Sequence, residues 1–345
     1  MSSFHFLAIK NINQLTKDAV EISFEISKSP EFNFTPGQYI TIKHQINGEE
    51  VRRAYSICSS PSEGLSIGVK LVAGGKMSSF LTTKVKIGDI LEVMPPSGNF
   101  IMKGDKNHIV GICAGSGVTP ILSMIKSKME NSKDSKFTLI YGNKTQESVM
   151  FYNELKDLAS KNPEKLKIHW FFSQEKVQSC VNGRIDKNTL QHLINTFRDL
   201  KQADDFFICG PGEVIDNTNE LLLLNQVNQS HIHFERFTAV KKDDGISDAA
   251  EIISNVRVCV DGEDFQFTLS NKGQTILDAA MKHGADVPFS CKGAVCCTCK
   301  AKVMEGKVTM DANYSLSEEE VAQGYILTCQ SHPASENVVI DFDEM

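Results

Sequence analysis

Residues 108–131 read HIVGICAGSGVTPILSMIKSKMEN. An apolar run ends in glycines and passes into a helical pattern, which reads as a buried strand feeding a helix. The unit then recurs. Strand-like KFTLIYGN, LKIHWFFS, DFFICGPG and IHFERF alternate with helix-like VMFYNELKDLAS, KNTLQHLINTF and EVIDNTNELLLLNQ. Such alternation builds a parallel α/β sheet. At the first turn Thr119 fits a helix N-cap and Pro120 the first helical position. The glycines allow a dinucleotide close to the helix N-terminus, where N–H groups point at phosphate. The spacing is G-x-G-x-T-P; Pro120 stands where the dehydrogenase fingerprint has its third glycine.

Upstream, residues 1–103 look all-β. Runs such as QYITIKH and LSIGVKLV sit between turn clusters SSPSEG and MPPSGNF, a spacing that suits a small sandwich or barrel. Downstream, AVKKDDGISDAAEIIS (239–254) is charged, small and polar, and reads as a linker. NVRVCVDGEDFQFTLS then alternates on both sides of Asp261–Gly262, a hairpin signal, and QTILDAAMKHG is a helix with a glycine stop. The expected plan is a β domain over 1–103, an α/β domain over 104–238, a linker, and a third module over 255–345. A chain of 345 residues agrees with two or three domains at ~150 residues each.

Apolar content is 41%, and no stretch reaches the ~18 apolar residues of a membrane span. The start, MSSFHFLAIKNINQ, lacks the pattern of a secretory signal, so the expected location is cytoplasmic. Ten cysteines in that reducing setting read as ligands or buried thiols, not disulfides. Residues 256–345 hold 14 acids against 7 Lys/Arg and carry the whole net charge of −7. No basic footprint points to nucleic acid. G-x-S-x-G and H-E-x-x-H motifs are absent.

The third module contains SCKGAVCCTCK (290–300). Cys291, Cys296 and Cys299 have the spacing C-x4-C-x2-C, and Cys329 lies downstream in YILTCQSH. That is the plant-type [2Fe–2S] pattern, and soft thiolates suit it. Structural zinc is the alternative, but it usually takes two paired half-sites, and Cys329 has no near partner except His332. Cys297 falls outside the spacing and reads as a packed thiol. Lys292, Lys300 and Lys302 flank the loop as a candidate basic rim for a docking partner.

From CKGAVCCTCKAKV and NYSLSEEEVAQGYILTCQSHP the C-terminal module resembles a plant-type ferredoxin domain, α+β and β-grasp-like. RRAYS (52–56), GGKMSSFL (74–81) and GICAGSGVTP (111–120) resemble, in that order, the ferredoxin–NADP reductase family. The full chain is similar to the reductases of multicomponent aromatic oxygenases. The resemblance implies an antiparallel β-barrel that binds FAD, a parallel-sheet domain that binds NADPH or NADH, and a [2Fe–2S] domain. It assigns Arg53, Ala54, Tyr55, Ser56, Lys70, Gly75, Lys76, Met77, Ser78 and Phe237 to the flavin. Gly115, Gly117, Thr119, Lys144 and Arg184 fall to the nicotinamide cofactor, and Ser56, Cys209 and Glu235 to the hydride-transfer site. Cys291, Cys296, Cys299 and Cys329 become the iron ligands. No acid follows the second strand of the α/β domain; Lys144 stands there and favours a 2′-phosphate, hence NADPH. The implied partner is an oxygenase, a di-iron epoxidase acting on phenylacetyl-CoA in aromatic degradation. Another oxygenase, a stand-alone oxidoreductase with a soluble acceptor, and a non-catalytic redox sensor are the alternatives.

Overall fold

The computed structural model describes residues 4–26, 30–104, 106–132, 134–238 and 251–344. Six antiparallel strands come first: β1 (His5–Thr16), β2 (Ala19–Glu25), β3 (Tyr39–Ile46), β4 (Glu49–Ser56), β5 (Ser66–Lys70) and β6 (Ile90–Val93), with α1 (Lys76–Thr83) after β5. They lie in the order β4-β3-β6-β1-β2-β5. An Ile57–Ile67 bridge, extended by Cys58 N–H to Ser66 O at 2.9 Å, joins the end of β4 to β5. That bridge closes the sheet into a barrel and removes its edges. Period-2 alternation fills the interior: Val20, Ile22 and Phe24 of β2 meet Ile40 and Ile42 of β3, and Met77 and Leu81 of α1 cap them.

The α/β domain follows: β7 (His108–Ala114), α2 (Val118–Asn131), β8 (Lys136–Asn143), α3 (Tyr152–Lys161), β9 (Leu166–Phe172), β10 (Val181–Asn182), α4 (Lys187–Thr196), β11 (Asp205–Gly210), α5 (Gly212–Leu224) and β12 (Ile232–Arg236). All pairings are parallel, in the order β10-β9-β8-β7-β11-β12. Cys113, Phe137 and Leu139 pack with residues of α2 and α3 on one face. Val110, Ile112 and Ile140 pack with α4 and α5 on the other. The order runs outward from β7 in both directions, so the ligand crevice of such a sheet lies at the carboxyl ends of β7 and β11.

Two helix starts differ from expectation. A 3-10 turn over Gly115–Gly117 runs straight into α2, so Gly117 caps the helix and Thr119 is already inside it. Thr119 is 1% exposed, and its Oγ1 donates to Ser116 O at 3.0 Å. Pro120 still sits in the first turn, where its missing N–H has no partner to lose. The third helix begins only at Tyr152, after Phe151 at φ +59°.

The C-terminal domain has β13 (Ile253–Val260), β14 (Glu263–Ser270), α6 (Ile276–Lys282), β15 (Lys300–Glu305), β16 (Val308–Met310), α7 (Glu318–Ala322), β17 (Tyr325–Leu327), β18 (Ser331–Pro333) and β19 (Asn337–Asp341). A mixed sheet in the order β14-β13-β19-β15-β17 holds α6 through Ile276, Leu277 and Ala280, which is the α+β β-grasp plan. Val260 pairs with Glu263, leaving Asp261 and Gly262 at φ +53° and +75° as the two-residue turn. Asp343 accepts both turn N–H groups at 2.9 Å.

Of the expected linker, residues 239–250 lie outside the described residues, and Ile253 and Ser254 already pair in β13. The barrel and the α/β domain form one compact unit, Phe4–Pro96 with Phe100–Phe237, and the C-terminal domain is a second. Among the described residues no helix is long and apolar enough to cross a membrane.

Candidate functional site

In the C-terminal domain four thiols converge. The Cys291 and Cys296 sulfurs are 3.1 Å apart. Cys329 lies within hydrogen-bonding reach of Cys291 and Cys299. Strand pairing explains how a cysteine so far along the chain arrives. Lys300 of β15 faces Leu327 of β17, so the residues just beyond them, Cys299 and Thr328, also meet. Thr328 donates to Cys299 O through its N–H at 3.1 Å and its hydroxyl at 2.9 Å, which delivers Cys329.

The loop itself is bent around the sulfurs. Lys292 and Ala294 adopt φ of +50° and +60°, a conformation that costs non-glycine residues on the order of 1 kcal/mol each. The bend aims Gly293 N–H at Cys291 Sγ, 3.3 Å away, and Ala294 N–H at Cys329. Donors directed at thiolate and sulfide suit an anionic cluster. Ser290 was not singled out from sequence. Its Oγ is buried without a hydrogen-bond partner among the described residues, which fits an acceptor supplied from outside the chain.

Cys297 takes another course. Its thiol donates to Ser315 O at 3.3 Å, and burial pushes it up to about 12. The basic rim expected from Lys292, Lys300 and Lys302 is corrected by the structure. They pair with Asp278 at 2.7 Å, Glu320 at 3.2 Å and Glu344 at 3.9 Å.

The second site lies in the unit made by barrel and α/β domain. Alternation along β4 sends Arg53 and Tyr55 to one face and Arg52 to the other. Arg52 is buried and paired with Glu50 at 2.8 Å. Arg53 is exposed, with Nη1 donating to Arg52 O at 2.6 Å. Tyr55 packs on the barrel core; burial pushes its phenol up, and Arg53 opposes that shift. A hydrogen bond from Lys76 holds the Glu49 carboxyl low, with Arg53 adding to the effect, so both cations gather at one spot.

That spot is the start of α1. Gly75 caps it, and a side chain there would meet Ser78 Oγ at 2.5 Å. Ser78 Oγ accepts from Val72 N–H at 3.2 Å and donates to Gly75 O at 3.3 Å, which fixes the turn; Met77 is 1% exposed and anchors it. Two cations beside the N–H groups of a helix's first turn suit a pyrophosphate. Lys70 is half-buried, 3.8 Å from Asp18, and Ala54 is half-buried between Arg53 and Tyr55.

At the carboxyl edge of the parallel sheet, Gly115 takes φ +57°. A side chain on Gly117 would lie 2.2 Å from Cys209 O, so only glycine lets the turn settle on the end of β11. Cys209 is fully buried, in register with Cys113 on one side and Glu235 on the other. Burial raises its thiol, and Glu235 adds to the shift. Burial also pushes the Glu235 carboxyl up to about 8, against a hydrogen bond donated by Ser56 Oγ at 3.2 Å. That bond ties the end of β4 to β12 and brings Ser56, Glu235 and Cys209 together. Phe237 is 40% exposed two residues on. Lys144 follows β8 and Arg184 follows β10; both are exposed on the same sheet edge. Thr119, by contrast, is buried with its hydroxyl turned back on the loop.

Comparison with known proteins agrees in all three regions. Residues 7–102 match the oxidoreductase FAD-binding domain, 112–220 the oxidoreductase NAD-binding domain, and 258–334 the 2Fe-2S iron-sulfur cluster binding domain. The chain is 40% identical to one of the subunits of the 1,2-phenylacetyl-CoA epoxidase of Escherichia coli, over 99% of each chain. It is 31% identical to the ferredoxin reductase component of 3-ketosteroid-9-alpha-monooxygenase of Rhodococcus rhodochrous, over 97% of this chain and 96% of that one. Phthalate dioxygenase reductase has the same fold, with a TM-score of 0.62, 23% identity and 98% of both chains covered. FAD, a nicotinamide dinucleotide and a [2Fe–2S] cluster are therefore the cofactors of this oxidoreductase.

Replacing Cys329 with Ala should abolish the cluster's visible bands and cytochrome c reduction, while ferricyanide reduction survives. Cys297→Ser should keep its full iron content; loss of iron in that variant would make Cys297 a ligand.

Proposed function

The chain belongs to the family of FAD- and NAD-binding oxidoreductases that carry a [2Fe–2S] domain, and from that membership we propose that it is the reductase component of an oxygenase. In this reading NADPH supplies electrons that pass through FAD and the cluster to a di-iron epoxidase acting on phenylacetyl-CoA, in the cytoplasm, where thiols stay reduced. The observation that carries the reading is the presence, on one chain, of a four-thiol site and of a hydrogen-bonded Ser56–Glu235 pair in register with Cys209. When bound, FAD accepts a hydride and gives up its electrons singly, which is what a one-electron cluster requires.

The protein's own part is binding and orientation. Arg53, Lys76 and the N–H groups of Lys76, Met77 and Ser78 hold the flavin pyrophosphate. Tyr55, Ala54 and Phe237 flank the ring system, and Lys70 and Gly75 shape the approach. Gly115 and Gly117 give the nicotinamide cofactor's phosphates access to the start of α2, with Thr119 bracing that turn from inside. Ser56, Glu235 and Cys209 line the place of hydride transfer. Cys291, Cys296, Cys299 and Cys329 ligate the irons. Lys144 and Arg184 take a 2′-phosphate; the residues after β8 are Lys144 and Thr145, with no acid to hold ribose hydroxyls.

Purified protein should oxidise NADPH with ferricyanide as acceptor and support turnover of a phenylacetyl-CoA epoxidase; absence of NADPH oxidation would leave only a redox-sensing role. Lys144→Glu should raise KM for NADPH at least about tenfold more than KM for NADH, the worth of roughly one charge-assisted contact. Equal effects would remove Lys144 from the site.

Glu235 gives a pH signature. Its carboxyl, raised from 4.5 to about 8, is neutral at pH 7 and becomes an anion as pH rises through that value. An anion there opposes the arrival of hydride electrons on the neighbouring ring. Flavin reduction by NADPH should therefore slow as pH rises through about 8, and Glu235→Gln should flatten that limb.

A further inference from the structure

Helix α2 carries the phosphate turn at its start and meets the flavin barrel along one stripe: Thr119, Ser123, Lys126 and Glu130. The spacing of four, three and four residues is that of a single helix face. Each member makes a contact across the joint. Thr119 Cγ2 would lie 2.6 Å from a side chain on Gly68 of β5, so only glycine admits it. Ser123 Oγ donates to Ser59 O at 2.6 Å. Glu130 accepts from the hydroxyls of Ser60 at 2.8 Å and Ser62 at 3.0 Å.

Lys126 is the charged centre of this stripe. Its side chain is 5% exposed, 3.0 Å from Glu63 of the barrel and 2.5 Å from Glu154 of α3. Glu21 of β2 faces the same ammonium: burial raises its carboxyl, Glu154 adds to the rise, and Lys126 opposes it. Two barrel carboxylates and one from the α/β domain thus share a single buried cation. A buried ion pair is weak evidence for stability, because desolvation offsets most of the attraction. What it fixes is geometry: without the cation, like charges would push the two halves apart.

We propose that Lys126 is a positioning residue for hydride transfer: shared between Glu63 and Glu154, it clamps α2, and with it the nicotinamide phosphate turn, against the flavin barrel. The inference rests on the hydride-transfer reading above. A displacement of about 1 Å at the reacting atoms can slow a reaction on the order of a hundredfold, so a joint this far from the chemistry can govern its rate.

The test is single-turnover flavin reduction by saturating NADPH. Bleaching of the wild-type flavin by NADPH tests the underlying reading separately. Lys126→Met, similar in length and uncharged, should keep its flavin and iron and hold KM for NADPH within about threefold. Its flavin reduction should slow at least about tenfold, and the long-wavelength charge-transfer absorbance of the nicotinamide–flavin complex should weaken. Ferricyanide reoxidation of its dithionite-reduced flavin should stay at the wild-type rate, and Lys126→Arg should restore reduction. A wild-type rate in Lys126→Met overturns the proposal, as does a loss of rate matched by loss of flavin and unrelieved by Lys126→Arg. If Lys126→Met does not fold, Glu63→Gln carries the test, since that side chain is 43% exposed. Slower flavin reduction with full flavin content supports the clamp, and an unchanged rate overturns it.

Discussion

Where a side chain on Gly117 would stand, the carbonyl oxygen of Cys209 lies 2.2 Å away. This close approach is the constraint on which the electron-donor half of the molecule depends. It lets the turn after β7 lie on the end of β11, at the crevice where such sheets bind dinucleotides. It also fixes where α2 begins. Through the stripe from Thr119 to Glu130, α2 then fixes where the barrel sits, and the Ser56–Glu235 hydrogen bond closes the other end of the joint.

The acceptor half obeys a different constraint. Its thiols come from a loop held in left-handed conformations at Lys292 and Ala294 and from a cysteine delivered by the pairing of β15 with β17. Ala294 is fully buried, so a larger residue would have to displace the loop that aims N–H groups at sulfur. The Ser290 hydroxyl, buried without a hydrogen-bond partner among the described residues, fits the same purpose.

Much of this is legible in the sequence, and the failures have identifiable causes. Strand-like runs alternating with helix-like ones mark the α/β domain, and glycines and cysteines at set spacings mark its first turn and the thiol loop, because these patterns answer to local geometry. Thr119 misleads as a cap because a 3-10 turn runs into α2 without a break, leaving the hydroxyl to bond Ser116. Strand β10 spans only Val181–Asn182, too short to show a period. The lysines around the cluster loop look like a basic rim because their partners, Asp278, Glu320 and Glu344, lie 14 to 42 positions away. Lys126 left a fainter signal. It lies seven residues after Thr119, on the helix face that also carries Ser123 and Glu130, just after the apolar Met124 and Ile125.

The central claim is a single route: electrons enter from the nicotinamide cofactor, cross the flavin, and reach the cluster. Freeze-quenched electron paramagnetic resonance of the cluster after mixing with NADPH tests it most directly, comparing holoprotein with protein stripped of flavin. The reduced-cluster signal should grow in after flavin bleaching in holoprotein and be absent from flavin-free protein. Equal cluster reduction in both, or none in holoprotein whose flavin has bleached, would contradict it.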